Sequence, residues 1–329
     1  MTDDQQPRGY VALAARRIPF PRSISPDARA RLARFVDEDG VPLNRSRYPA
    51  PEDFAGWLAD KQRGNLHMES LLPQGRSPTT TVEIAGCVVH VATPPAADHR
   101  VYLDIHGGAL IYGAGECCRR GASLGADQFG VRCYAVDYRT PPEHPYPAAL
   151  DDCVAVYRAL LDRHRPGDII VGGSSAGGNL AAALVLRARD EGLPLPAALM
   201  LRTPELDLTE SGDSFETNRF LDVVLPEPLM PINLLYAGGH DLAHPYLSPL
   251  FGDFSRGFPP TFLQAGTRDL LLSNAVRMHR ALRRAGIPVE LHVFEGMPHG
   301  GFFGAPDDAD MYAEVGRFAA EHWAARRGA

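Results

Sequence analysis

IIVGGSSAGGNLAAAL, residues 169–184, sets two adjacent serines between two pairs of glycines. An apolar run precedes them and an alanine-rich run follows, so the stretch reads as a buried strand, a tight turn and a helix. Such a turn can hold a nucleophile in the pattern Gly-x-Ser-x-Gly. The serine takes a strained backbone position, and side chains two residues to either side would collide across the turn. Gly173-Ser174-Ser175-Ala176-Gly177 meets the pattern with Ser175 at its centre. Centring it on Ser174 puts Gly172 and Ala176 at the flanks and loses a glycine, so turn sterics favour Ser175. A phosphate-cradling turn at a helix N-terminus is the competing use of such a stretch. No Gly-Lys-Ser/Thr follows, and the motif comes after about the fifth candidate strand, whereas a dinucleotide fingerprint follows the first.

The rest of the chain supplies the setting. Candidate strands are TTVEIA (80–85), VVHVA (88–92), VYLDI (101–105), RCYAVD (132–137), DIIV (168–171), AALMLR (197–202), TFLQAG (261–266) and VELHVF (289–294). Candidate helices span 147–164, 179–192, 273–286 and 308–327. The first two strands suit a hairpin turning at Gly86. Beyond them strand alternates with helix, which predicts an α/β fold: a mostly parallel eight-stranded sheet covered by helices on both faces.

Two regions stand apart. Residues 1–75 carry no strand but two amphipathic patterns, SPDARARLARFVDEDG with Leu32, Phe35 and Val36 on one face and a stop at Gly40, and APEDFAGWLADKQRGN with Phe54, Trp57 and Leu58. Neither helix can bury its face alone, so both must roof something else. Residues 209–259, rich in proline and glycine, are too long for an ordinary loop. The expected organisation is a catalytic core at 76–208 and 260–329, with 1–75 and 209–259 as two parts of a helical cap.

A serine hydroxyl needs a base, the base needs an orienting acid, and the developing oxyanion needs N–H donors. In this architecture acid and histidine follow the serine, in that order, on loops after later strands. Asp269 follows the seventh candidate strand, and His299 follows the eighth in a loop of glycines and proline that has little packing use for a histidine. Asp207 is a competing acid, less favoured because its loop does not adjoin the histidine's strand. His106-Gly107-Gly108-Ala109 ends the third strand, and its glycines let backbone amides approach a substrate. The amides of Gly107, Gly108 and Ala176 are the expected oxyanion donors, with His106 holding the loop. A base at position 299 predicts that kcat/KM falls as pH drops through roughly 6 to 7.

Composition narrows the partners. The 329 residues carry a net charge of −7 with no long basic block, which argues against nucleic acid or an anionic membrane. The start of the chain is acidic and polar where a secretory signal needs a basic and then an apolar region, and no run is long and apolar enough to span a bilayer. Five cysteines, odd in number and with Cys117 and Cys118 adjacent, oppose a disulfide framework, so a reducing cytoplasm is the expected setting. No cofactor or metal is expected: no C-x-x-C pair exists, and His240, Asp241 and His244 lie in the proline-rich insertion with no further ligand near in sequence.

HGGALIYG, DYRTPPEHPYPAALDD, GGSSAGGNLAAAL, PTFLQAGTRDLLL and EGMPHGGF follow one another in the order seen in the hormone-sensitive lipase family of α/β-hydrolases, and the chain resembles that family over roughly residues 80–322. The resemblance implies the α/β-hydrolase fold, a two-part cap, hydrolysis of carboxylic esters without a cofactor, and catalytic roles at Ser175, Asp269 and His299 with Gly107, Gly108 and Ala176 as donors. The expected partner is a small ester, or a lactone cleaved by the same triad; a homodimer is left open. A small-molecule binding protein that kept the pocket is the non-enzymatic rival. Three residues depart from the family pattern: Ala109 where a third glycine is usual, Ser174 where aspartate is frequent, and Glu205 where an aromatic precedes LDLT.

Overall fold

The structure, a computed structural model, describes residues 11, 14–45 and 48–324. All eight candidate strands are present: β1 (Thr79–Ile84), β2 (Cys87–Ala92), β3 (Val101–Ile105), β4 (Arg132–Asp137), β5 (Ile169–Ser174), β6 (Ala198–Arg202), β7 (Thr261–Gly266) and β8 (Val289–Phe294). They form one sheet in the order β1-β2-β4-β3-β5-β6-β7-β8. β1 and β2 make the expected hairpin, β2 runs antiparallel to β4, and every other pairing is parallel.

The helices are α1 (Pro26–Leu32), α2 (Phe54–Leu71), α3 (Glu116–Phe129), α4 (Ala148–Leu161), α5 (Ala176–Asp190), the single turn α6 (Ser214–Thr217), α7 (Met230–Ala237), α8 (Leu272–Arg284) and α9 (Asp308–Ala324). Alternation along the strands divides the core. Leu103, Val136, Val171, Leu199 and Leu263 meet residues of α4, α5 and α8 such as Leu150, Leu184 and Leu282. Their neighbours Tyr102, Ala135, Ile170, Met200 and Phe262 face α3 and α9. A sheet buried on both faces needs apolar residues at every position, which is why these strands read as short continuous runs.

Among the helices packed on the sheet, α3 had no counterpart in the sequence pattern, and neither had α6 and α7 within the 209–259 insertion. α3 carries two interior glycines, each costing about 1 kcal/mol of helix propensity. Packing explains one of them: a Cβ on Gly125 would stand 3.1 Å from Cys133 Sγ and 3.4 Å from Tyr102. The glycine lets the helix lie close on β3 and β4, and that contact outweighs local preference.

The N-terminal patterns need two corrections. α1 starts as expected, with Ser25 Oγ accepting from the Ala28 amide at 3.0 Å and Pro26 in the first turn. It stops at Leu32 and passes through a short 3-10 turn, not a helix to Gly40, because Asp37 Oδ1 takes the amides of Asp39 and Val41. In α2, Trp57 is buried but Phe54 is 51% exposed, so the apolar face is narrower than the spacing implied. Leu32 packs with Val223, Met297 and Phe302, and Trp57 packs with Ile111, Leu229 and Ile232. Both segments therefore lie on the loops at the carboxyl ends of the strands. No helix among the described residues is long and apolar enough to cross a membrane.

Candidate active site

Ser175 sits between β5 and α5 with φ 57° and ψ −122°, in the left-handed half of the map that side chains avoid. The strain persists because its surroundings fix it: its amide donates to Arg202 O at 2.9 Å, and its carbonyl accepts from Asn179 and Glu205. The flanking glycines are obligatory. A Cβ on Gly173 would fall 2.4 Å from the Gly177 backbone, and one on Gly177 would fall 1.9 Å from Ile105 O. Ser174 is the last residue of β5, in register with Arg202 of β6.

The loop after β3 lies against this turn. A Cβ on Gly107 would meet Ser174 O at 2.7 Å and Ser175 Cβ at 3.5 Å. No backbone or side-chain acceptor among the described residues takes the amides of Gly107, Gly108 or Ala176, so all three remain available to a ligand. His106 anchors the loop: its Nδ1 lies 2.9 Å from Gly107 O, its ring stacks on Tyr138 at 4.0 Å, and Tyr138 Oη donates to His106 O. α2 braces the far end, where Asn65 Oδ1 accepts from the Gly113 amide at 2.7 Å and Asp60 accepts from Tyr112 Oη.

β7 and β8 carry the other two candidates to the same edge. Asp269 is fully buried, and its Oδ1 lies 3.1 Å from His299 Nδ1 while also accepting from the Leu271 amide. Burial works against a charged imidazole at His299, but Asp269, and beyond it Asp222 and Glu205, outweigh that and hold its pKa above the ordinary value. The imidazolium therefore survives to higher pH than in a free histidine. The acid limb of kcat/KM is expected above about pH 6.5, at the upper end of the sequence-based range or beyond it. An activity profile flat to about pH 4.5 would exclude His299 as the base.

Asp222 was not legible beforehand. It is wholly buried and reaches from the 209–259 insertion to accept from Val224 and Leu225 through Oδ1, and from Leu270 and His299 through Oδ2. Burial and the neighbouring Asp269 raise its pKa to about 6. One carboxylate thus ties the insertion to the amide of His299 and to that of Leu270, the residue after Asp269; the first is a pairing across 77 positions that no local pattern announces. Asp207 is engaged elsewhere, bonded to Thr209, Ser211 and Arg277. His240 and His244 are exposed and turn their rings toward Tyr146. A cleft of about 2000 Å³ between the N-terminal segment and residues 213–223 passes beside Arg268 but touches none of Ser175, Asp269 and His299.

The family model for the α/β-hydrolase fold matches residues 102–303. The chain belongs to the α/β-hydrolases. Within them it falls with the bacterial hormone-sensitive lipase group. It is 36% identical to an acetyl-hydrolase of Streptomyces hygroscopicus over 76% of this chain and 81% of that one. It is 34% identical to an esterase of Acinetobacter venetianus over 69% of this chain and 76% of that one. Among solved structures, esterase E25 superposes with a TM-score of 0.81 at 34% identity, covering 94% of this chain and 98% of its own. An esterase from the bacterial hormone-sensitive lipase family gives 0.80 at 30% identity, covering 92% and 99%.

This α/β-hydrolase keeps its departures close to the site. Ala109 has φ 50°, a conformation natural to the glycine it replaces. Glu205 is fully buried with both carboxyl oxygens unpartnered, and burial, then the charge of Glu210, pushes its pKa up to about 7. Its amide holds the Ser175 carbonyl, so an acidic group stands where an aromatic ring is usual, next to the Ser175 turn.

Proposed function

We propose that the protein hydrolyses carboxylic esters of small molecules through an acyl-enzyme. Ser175 Oγ attacks the ester carbonyl while His299 Nε2 takes its proton, and the amides of Gly107, Gly108 and Ala176 receive the oxyanion. His299 then protonates the departing alcohol. Water, deprotonated by His299, attacks the acyl carbonyl and releases the acid with Ser175 restored. Asp269 holds Nδ1–H of His299 and stabilises its charged form. Residues 1–75 and 209–259 act as a two-part cap, α2 bracing the oxyanion loop and Asp222 bracing the Asp269 and His299 loops.

The observation that carries this reading is the coincidence at one sheet edge of a strained serine, a buried His–Asp pair and three unclaimed amides. Relatives named as esterases and acetyl-hydrolases support the same chemistry. The test is a panel of p-nitrophenyl esters of increasing acyl length beside simple lactones. Turnover of short-chain esters is expected, and a folded protein that cleaves no member of the panel would sink the proposal.

The oxyanion assignment has its own check. A Cβ on Gly108 would stand 2.3 Å from Tyr112 O, so Gly108→Ala must move the loop. Losing one donor costs about 10²–10³ in kcat. Ala109→Gly, which only relaxes φ, should change kcat a few-fold at most, about what 1 kcal/mol allows. Equal losses in the two variants would show that the donors have been misplaced.

A further inference from the structure

Where the oxyanion loop leaves the sheet, three residues that the ester chemistry does not use as acids, bases or nucleophiles converge. Donor atoms of His106, Cys118 and Asp137 all lie within 4.8 Å of one another. They come from three elements: the residue after β3, the first turn of α3 and the last residue of β4. Cys118 is fully buried and His106 is 8% exposed.

The state of His106 is fixed by its neighbours. Nδ1 lies 2.9 Å from Gly107 O, and a carbonyl oxygen can only accept, so Nδ1 carries the proton. Nε2 is then a bare lone pair, and it is buried with no hydrogen-bond partner among the described residues. A lone pair beside a carboxylate and a thiol lacks a positive partner, and leaving it so is costly.

A fourth donor adjoins the cluster. His90 Nε2 is 3.5 Å from Asp137 Oδ2, a long contact, and has no other partner among the described residues, while its Nδ1 lies 2.9 Å from Thr81 Oγ1. Asp137 is itself oriented by the Gly115 amide, at 3.0 and 3.2 Å from its two oxygens. Each imidazole and the carboxylate thus already has an outer contact of the kind that orients metal-ligating side chains.

We propose that His106 Nε2, Cys118 Sγ and Asp137, with His90 Nε2 as fourth donor, form a binding site for a zinc-type divalent cation. Two imidazoles, a thiolate and a carboxylate suit a borderline ion in tetrahedral geometry and do not suit magnesium or calcium. The Cys118 thiol must lose its proton to solvent as the ion enters, so one proton leaves per ion and affinity rises with pH. The ion would bind the residue next to Gly107, and the His106 Nδ1–Gly107 O bond would transmit its rigidity to the oxyanion loop.

The test is a cobalt(II) titration of chelator-treated full-length protein, read by absorption. Saturation at one ion per chain is expected, with tetrahedral visible bands, a thiolate-to-cobalt band in the near ultraviolet, and displacement of the colour by zinc. Cys118→Ser should abolish the thiolate band, and His90→Gln, which removes a direct donor, should weaken binding by at least the roughly 10–100-fold that loss of a residue merely supporting a ligand costs. Cys117→Ser and the double variant His240→Ala/His244→Ala should leave the spectrum unchanged, since Cys117 is the competing thiol and the other two are exposed histidines. A folded wild type without the thiolate band overturns the site, as does a band that survives Cys118→Ser or vanishes with Cys117 or the exposed histidines. If Cys118→Ser does not fold, His90→Gln decides: unchanged affinity there overturns the four-donor site.

Discussion

Ser175→Ala is expected to lower kcat by about 10⁴–10⁶ with little change in fold, the scale seen when a triad nucleophile is removed. The turn should survive, since its shape comes from Gly173, Gly177 and the bonds made by the Ser175 backbone, none of which needs the hydroxyl. Alanine holds φ 57° at the same steric cost as serine, since both carry a Cβ, so stability should stay close to that of the wild type. Ser174→Ala provides the contrast. Ser174 ends β5 in ordinary pairing, and its hydroxyl can tune the loop by at most one hydrogen bond, about 0.5–1.5 kcal/mol. A phosphonate ester that labels the active serine, followed by peptide mass analysis, separates the two. Labelling that survives Ser175→Ala and vanishes in Ser174→Ala would move the nucleophile by one residue.

What could be read beforehand, and what could not, follows from the range of the interactions involved. The strands were legible because a sheet buried on both faces demands continuous apolar runs bounded by turn residues, and each run names itself locally. The elbow was legible because its steric constraint spans five consecutive residues. α3 was not, because Gly125 lowers local helix propensity for the sake of a contact with Cys133 and Tyr102 that only the folded sheet creates. α1 came out too long because the Asp37 turn competes with the helix through side-chain bonds. Asp222 and Asn65 were invisible for a stronger reason. Each acts on a backbone amide far along the chain, and an isolated aspartate or asparagine in a loop or helix carries no mark of such a partner. The same holds for His106, Cys118 and Asp137, whose meeting depends on β3, β4 and α3 packing side by side.

The choice of catalytic acid leads to the second large effect. Asp269→Ala is expected to cost about 10⁴ in kcat, since removing the triad acid of a comparable hydrolase costs about 3 × 10⁴. Asp207, the rival on sequence grounds, has its oxygens committed: burial works against its charge, but Thr209, Ser211 and Arg277 outweigh that and hold its pKa down. Asp207→Ala should therefore leave kcat near that of the wild type and lower stability instead, by about 1–3 kcal/mol for the partners left unpaired. Asp269→Asn separates charge from geometry. The Leu271 amide donates to Asp269 Oδ1 at 2.9 Å, so an asparagine there must keep its oxygen at that position, where it still accepts from His299 Nδ1. The histidine tautomer is then preserved and only the negative charge is lost, so Asp269→Asn should retain more activity than Asp269→Ala. With that charge gone, burial lowers the His299 pKa, and the acid limb of kcat/KM should move to lower pH in both variants. An unshifted limb, or activity in Asp269→Ala close to the wild type, would remove Asp269 from the triad and return the role to another carboxylate.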